Sequence, residues 1–166
     1  MFQEVQEIVN QVRKVVVGKD AVIASILMAM LAQGHVLLED VPGVGKTTMA
    51  LAFSRAMDLS YKRMQFTPDV MPSDITGYTT LQTGGAAGVY VPGAAMCNLF
   101  LADEINRASS KTQSALLEVM EENSITVDGV THPVPQPYLV IATQNPAGSS
   151  GTQPLPESQL DRFMVR

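Results

Sequence analysis

The sequence is poor in the residues from which disulfides and structural zinc sites are built. Cys97 is the single cysteine among 166 residues, so no internal disulfide can form. It lies just before an apolar run, which indicates a small buried side chain rather than a reactive thiol. His35 and His132 are the only histidines, and with one cysteine they cannot supply the four ligands of a structural zinc site.

Positive charge and long hydrophobic segments are also scarce. Lys and Arg number 11 against 16 Asp and Glu, and the net charge of −5 argues against the basic face of a nucleic-acid-binding domain. The longest apolar stretch, residues 21–32, is too short to span a bilayer. The polar N-terminus shows no signal-peptide pattern. We therefore expect a cytoplasmic protein without a membrane-bound part.

What is present is enough apolar material for one globular domain over residues 1–166, since 46% of the residues are hydrophobic. Apolar runs alternate with segments of helical periodicity, which predicts an α/β fold with a parallel sheet covered on both faces. Strands are predicted at residues 35–39, 61–66, 98–102 and 138–143, and a fifth begins near the end of the chain.

Helices are predicted where apolar residues recur at helical spacing. The first covers residues 5–12, and a second covers residues 20–33 with Asp20 as its N-cap. A third helix, at residues 47–57, follows the first strand. A fourth follows the third strand, and Ser110 and Gln113 have the spacing of a capping box.

Two further segments indicate structure outside the sheet. Asp128-Gly129 lies between two alternating segments, which predicts a β-hairpin over residues 125–132. The stretch 77–93 is rich in glycine and threonine, and we expect an exposed, mobile loop or a short hairpin there.

The stretch 39–48 has the pattern of a phosphate-binding loop between a strand and a helix. Gly43 and Gly45 let the backbone turn tightly and bring its N–H groups to phosphate oxygens. Lys46 can reach the β- and γ-phosphates, and the Thr47 hydroxyl is placed to ligate Mg²⁺. The usual pattern has glycine at position 40, where this chain has aspartate. The expected nucleotide contacts are Asp40, Val41, Pro42, Gly43, Val44, Gly45, Lys46, Thr47 and Thr48.

Two acids, Asp103 and Glu104, follow the third predicted strand. Asp103 is the natural partner of a Mg²⁺ ion held by Thr47, and Glu104 is placed to orient or deprotonate a water that attacks the γ-phosphorus. A transferase would place a hydroxyl acceptor there instead. A solvated strand end would explain the acids alone, but the glycine loop argues against it. Because ligands bind beyond the carboxyl ends of such strands, Lys46, Asp103, Glu104 and Asn145 should cluster at one edge.

Asn145 and Arg162 have simpler explanations beside the functional one. Asn145 could hydrogen-bond the γ-phosphate or the attacking water, but an Asn-Pro turn explains it equally well. Arg162 could stabilise charge on phosphoryl oxygens, also from a neighbouring subunit. Taken alone, its chemistry fits better with a surface pair to Asp161 or Glu157.

Together these motifs resemble the MoxR family of AAA+ ATPases. The resemblance runs from about residue 16 to the end and rests on VPGVGKT at 41–47, QFTPDVMPSDITG at 65–77, LFLADEINRA at 99–108, KTQSALLE at 111–118, TVDG at 126–129, VIATQNP at 140–146 and LPESQLDRF at 155–163. It implies a three-layer αβα P-loop NTPase. The implied five-stranded parallel sheet has the order 5-1-4-3-2, with a β-hairpin before sensor 1.

The resemblance also implies a role for each candidate residue. Lys46 and Thr47 would be the Walker A pair, and Asp103 and Glu104 the Walker B pair. Asn145 would be sensor 1. ATP and Mg²⁺ would be the cofactors.

Other implied roles concern assembly and partners. Arg162 matches an arginine finger acting in trans, and Val17 and Gly18 match the segment against the adenine. The family resemblance implies a homo-oligomeric ring, usually a hexamer. Its partners would be protein clients, often with von Willebrand factor A domains. The segments 77–93 and 125–132 would face the pore or a client.

The sequence leaves several functions open. An ATPase that remodels or matures protein complexes needs Glu104 for hydrolysis. AAA+ proteins also carry a helical lid with a sensor 2 arginine, and we expect it to be absent from this chain. That absence favours a nucleotide-gated interaction module with negligible turnover. A magnesium-chelatase-like subunit or a DNA-acting motor shares the insert and the hairpin. A GTPase would need an N-K-x-D motif, which the sequence lacks.

Overall fold

Two helices open the chain, and strands and helices then alternate. The computed structural model describes residues 2–39, 45–81, 88–145, 152 and 155–166. The helices are α1 (Phe2–Arg13), α2 (Asp20–Leu31), α3 (Lys46–Ala56), α4 (Pro72–Thr76), α5 (Ser110–Glu122) and α6 (Glu157–Leu160). The strands are β1 (His35–Glu39), β2 (Tyr61–Gln65), β3 (Gly77–Thr80), β4 (Val89–Pro92), β5 (Leu99–Asp103), β6 (Ser124–Val127), β7 (Val130–Pro133), β8 (Leu139–Gln144) and β9 (Phe163–Val165). In these described parts, no helix has the length and hydropathy needed to cross a membrane.

Five strands form one parallel sheet in the spatial order β2-β5-β8-β1-β9. Numbered along the chain among themselves, these strands read 5-1-4-3-2 from the β9 edge, which confirms the predicted order. Gln65 pairs with Asp103, and Glu39 pairs with Gln144. The carboxyl ends of the strands therefore lie along one edge of the sheet.

Both faces of the sheet are covered, because β5 is buried throughout and its successive side chains join different clusters. Leu99 and Leu101 pack with residues of α1, α2 and α3 on one face. Phe100 and Ala102 belong to a second cluster with residues of α5 on the other face. Successive side chains of a strand point to opposite faces, so a strand that is buried throughout requires a layer on each side. The predicted three-layer αβα architecture is confirmed.

Two antiparallel hairpins, β3–β4 and β6–β7, lie outside the sheet. Asp128 and Gly129 have φ of 50° and 78°, the backbone that the predicted tight turn requires. In the 77–93 segment the described residues form a hairpin, and residues 82–87 lie outside the described part. The rings of Tyr90 and His132 stack across the two hairpins, with centroids 3.9 Å apart and planes 9° apart.

Two helix starts differ from the prediction. Asp20 is the first residue of α2 rather than its N-cap, and its carboxylate accepts a hydrogen bond from Arg13 at 2.8 Å. Helix α5 is capped by Ser109, whose hydroxyl accepts a backbone N–H of the first turn. The predicted capping box of Ser110 and Gln113 is therefore wrong. The Gln113 amide donates instead to two carbonyls of the preceding turn.

Cys97 is buried, as the sequence predicts. Burial raises the pKa of its thiol to about 11, so the thiolate is scarce at neutral pH.

His35 joins three elements at the start of β1. Its Nδ1 accepts the backbone N–H of Val140 at 3.0 Å, and its Nε2 lies 3.1 Å from the carbonyl oxygen of Met120. Because Nδ1 accepts, the neutral ring carries its proton on Nε2 and donates it to that carbonyl. Burial lowers the pKa of His35 below its ordinary value of 6.5, against a smaller opposing effect of the Met120 hydrogen bond.

We expect the stability of the fold to decrease in acid through His35. The lowered pKa means that its contribution is complete above pH 6.5 and is lost as the pH falls through the folded-state value. Urea unfolding at several pH values between 7.5 and 5 measures this dependence. His35→Gln keeps one donor and one acceptor but does not titrate, so we expect a shallower dependence. His132→Gln is the control and should keep the wild-type dependence. Equal slopes for His35→Gln and wild type would contradict this assignment.

Candidate nucleotide-binding and metal site

The start of α3 is the described part of the predicted phosphate-binding loop. Gly45 has φ of 71°, a left-handed backbone that suits glycine, and α3 begins at the next residue. The free N–H groups of the first turn and the positive end of the helix dipole favour an anion there. Lys46, Thr47 and Thr48 all lie in that first turn. Asp40, Val41, Pro42, Gly43 and Val44 lie outside the described residues, and their contacts stay predictions.

Asp103 ends β5 and is bound on both carboxylate oxygens. Its Oδ1 accepts the Thr143 hydroxyl at 3.0 Å. Its Oδ2 accepts two N–H groups of Arg63, from Nε at 2.9 Å and from Nη2 at 2.7 Å. The Asp103 side chain is 13% exposed, so these bonds compensate for the water that the carboxylate has lost.

Glu104 follows in a left-handed conformation with φ of 56°, which is uncommon outside glycine and typical of strained positions at functional sites. Its backbone N–H donates to the Thr143 hydroxyl oxygen at 2.9 Å. Its carboxylate pairs with Arg107 at 3.3 Å. Within the described part of the chain, no hydrogen bond joins Glu104 to Gln65, the last residue of strand β2, or to Thr67 just after it.

Asn145 is fixed by a neighbour that the sequence does not single out. The Asn106 amide donates to the Asn145 carbonyl oxygen at 3.1 Å, and the Asn145 backbone N–H donates to the Asn106 amide oxygen at 3.1 Å. Asn106 is buried. This reciprocal pair ties the end of β8 to the turn after β5, so Asn145 lies beside the acids, as the sequence predicts.

Arg162 lies at the other end of the sheet. It directly precedes β9, whose first residue pairs with His35 at the start of β1, so it marks the amino edge. Its Nε and Nη2 donate to the Glu121 carboxylate at 3.0 and 2.8 Å. The expected surface pair with Asp161 or Glu157 is therefore wrong, and Asp161 pairs with Arg166 at 3.4 Å. Within one chain, Arg162 and the acids are separated by the length of the strands.

A cavity of about 220 Å³ opens between α2, β1 and α3, beside the start of α3. Its lining includes Lys19, Val22, Lys46 and Met49. The predicted adenine contacts Val17 and Gly18 directly precede this lining without being part of it. A larger cavity of about 550 Å³ lies between α1 and α3, and its lining includes Thr48 but neither Asp103 nor Glu104. The smaller cavity fits the predicted chemistry better because Lys46 lines it.

The donor set fits a Mg²⁺ ion that is bound together with a nucleotide. Among the described residues, no group of three or more His, Cys, Asp or Glu side chains could hold a metal ion. The oxygens that the sequence assigns to the metal are those of the Asp103 carboxylate and the Thr47 hydroxyl. Magnesium is commonly held by one or two carboxylates, waters and the phosphates of its substrate, so this sparse set is sufficient.

The comparisons with known proteins agree with this geometry. Residues 35–165 match the family described as "ATPase family associated with various cellular activities (AAA)". Chaperone MoxR1 of Mycobacterium tuberculosis is 46% identical over 156 residues, which are 94% of this chain and 41% of that protein. Protein MoxR of Methylorubrum extorquens is 34% identical over 94% of this chain and 46% of its own length. The chain belongs to the MoxR family of AAA+ ATPases.

Other relatives support the MoxR assignment. The uncharacterized protein YeaC of Bacillus subtilis is 54% identical over 95% of this chain and 49% of its own length. A crystal structure of a candidate ATPase from Cytophaga hutchinsonii superposes with a TM-score of 0.86 at 44% identity, over 98% of this chain and 49% of that one. This MoxR-family chain thus spans about half the length of the relatives it matches.

The Thr143 hydroxyl generates a testable prediction. Thr143→Val keeps the shape of the side chain but leaves Asp103 Oδ1 and the Glu104 N–H without this partner. We expect the free energy of unfolding to decrease by about 1–3 kcal/mol, measured by urea denaturation. Thr126→Val is the matched control, because its hydroxyl bonds Thr131 on an exposed hairpin. The control should change stability by less than about 0.5 kcal/mol, and equal losses in both variants would contradict the role of Thr143.

Proposed function

We propose that this chain binds Mg-ATP at the carboxyl edge of its sheet and hydrolyses it, and that hydrolysis drives chaperone-like remodelling or maturation of protein complexes. The observation that carries the proposal is the convergence of Asp103, Glu104 and Asn145 at one edge through Thr143 and Asn106. Membership of the MoxR family supports both the nucleotide and a protein client.

In the proposed mechanism, Lys46 and the backbone N–H groups at the start of α3 bind the phosphates. Thr47 and Asp103 would hold Mg²⁺, which would supply positive charge to the phosphoryl oxygens. Glu104 orients the attacking water and accepts its proton, and Asn145 donates a hydrogen bond to the γ-phosphate or to that water. Arg107 holds one oxygen of the Glu104 carboxylate, Oε2, at 3.3 Å.

The position of Arg162 supports an assembly of several subunits. Because Arg162 lies at the amino edge, it can stabilise the transition state only in the site of another copy. We propose a homo-oligomeric ring, a hexamer, that is cytoplasmic and acts on protein clients, including partners with von Willebrand factor A domains. The domain itself is proposed to be the αβα subdomain, with a helical lid outside residues 1–166.

Hydrolysis is tested with Glu104→Gln. This variant keeps the shape of the side chain and removes the base, so we expect kcat to fall by at least about 100-fold while ATP affinity changes by less than about threefold. Steady-state turnover and titration with a fluorescent ATP analogue measure the two effects. Lys46→Ala, in contrast, should weaken the binding of the ATP analogue in addition to lowering turnover.

The exposed Glu118→Gln on α5 is the charge-matched control for this experiment and should behave as wild type. Tight analogue binding with no turnover in the wild type would instead identify a nucleotide-gated interaction module. Unchanged nucleotide affinity in Lys46→Ala, or unchanged turnover in Glu104→Gln, would contradict the proposed site.

Action in trans is tested by mixing two inactive variants. Arg162→Ala subunits keep Glu104, and Glu104→Gln subunits keep Arg162, so a mixed ring contains complete sites at about one quarter of its interfaces. We expect each variant alone to be inactive and the equimolar mixture to recover turnover. A mixture as inactive as its components, at concentrations where the wild type is active, would contradict the assignment of Arg162.

A further inference from the structure

Arg63 directs its guanidinium at the carboxylate that is proposed to hold the metal. It lies on β2 two residues before Gln65, the residue that pairs with Asp103, so the two side chains share one face of the sheet. Two N–H groups of the guanidinium, on Nε and Nη2, form a fork that donates to one oxygen, Asp103 Oδ2, at 2.9 and 2.7 Å. A fork on one oxygen uses the lone pairs that a cation or its bound water would use.

Among the described residues, both oxygens of the Asp103 carboxylate thus have hydrogen-bond partners other than a metal. Thr143 occupies Oδ1, and Arg63 occupies Oδ2. A carboxylate as buried as this one needs a compensating positive charge, and the guanidinium supplies it. A divalent cation at the same oxygen would supply that charge itself and would repel the guanidinium.

We infer that Arg63 is an exchangeable counterion that competes with the divalent cation for Asp103. The inference rests on the proposed function for the identity of the metal site. Arg63 neutralises Asp103 when no metal is bound, and it leaves when the cation arrives with the nucleotide. Asp103 is thus charge-compensated in both states of the site.

The surroundings of Arg63 permit the exchange. Strand β2 is an edge strand of the sheet, and 46% of the Arg63 side chain is exposed, so the guanidinium can turn into solvent. The neighbouring Lys62 points to the opposite face, where its Nζ donates to the Gly93 carbonyl at 2.9 Å. Because Lys62 anchors the strand, only the Arg63 side chain needs to move.

The inference is tested by titrating the 166-residue chain with Mn²⁺ and measuring free Mn²⁺ by electron paramagnetic resonance. Titrations are run with and without a non-hydrolysable ATP analogue. Arg63→Gln removes the competing charge, and we expect about fivefold tighter Mn²⁺ binding. Arg63→Lys keeps the positive charge but loses the forked pair of hydrogen bonds. Its Mn²⁺ affinity should therefore lie between those of Arg63→Gln and wild type. Lys62→Gln removes the charge of the neighbouring residue on the other face, and its Mn²⁺ affinity should stay within about twofold of wild type.

Equal or weaker Mn²⁺ binding by Arg63→Gln would overturn the inference, as would the absence of measurable Mn²⁺ binding in every protein. Failure of the analogue to bind the wild type would count against the proposed function instead, and the titration with Mn²⁺ alone would still decide the role of Arg63. Thermal melting establishes that each variant is folded.

A second measurement needs no variant. The ¹H–¹⁵N signal of Arg63 Nε in the wild type should shift when Mg²⁺ is added with the analogue, and it should not shift with the analogue in EDTA. A chemical shift that does not change when Mg²⁺ is added would contradict the inference that Arg63 leaves Asp103.

Discussion

The hydroxyl of Thr143 is the contact on which the rest of the site depends. It donates to Asp103 Oδ1 and accepts from the Glu104 N–H, so one atom fixes both acids relative to β8. A hydroxyl can do both at once because it carries one donor and two acceptor lone pairs. The contact requires β5 and β8 to end side by side, and their parallel register brings Ala102 opposite Ala142. The geometry of the acids is therefore a property of the sheet rather than of the loop that follows it.

The two edges of the sheet have different chemistry. The carboxyl edge carries Asp103, Glu104 and Asn145 near the start of α3. The amino edge carries Arg162, which the Glu121 carboxylate holds through two hydrogen bonds. Because the strands separate these groups, a single chain cannot combine them in one site. In the proposed ring, the amino edge of one chain would meet the carboxyl edge of the next.

Local patterns predicted much of this structure, and long-range contacts explain what they missed. Apolar periodicity and the Asp128-Gly129 turn depend only on residues that are close in sequence, so the strands and the hairpin were predictable. The order of the sheet came from the family resemblance. By contrast, the contacts of Arg63 with Asp103 and of Asn106 with Asn145 join residues about 40 positions apart, and they depend on strand register. The adjacent serines at 109 and 110 left the frame of the α5 cap ambiguous by one residue.

The stacked rings of Tyr90 and His132 have a mechanical consequence. Each ring belongs to a different hairpin, and face-to-face contact means that neither hairpin can tilt sideways without separating the rings or carrying the other along. The Lys62 bond to Gly93 also ties the base of the β3–β4 hairpin to the edge strand that bears Arg63. A force applied to either hairpin would thus act on both and on strand β2, to which Lys62 connects them.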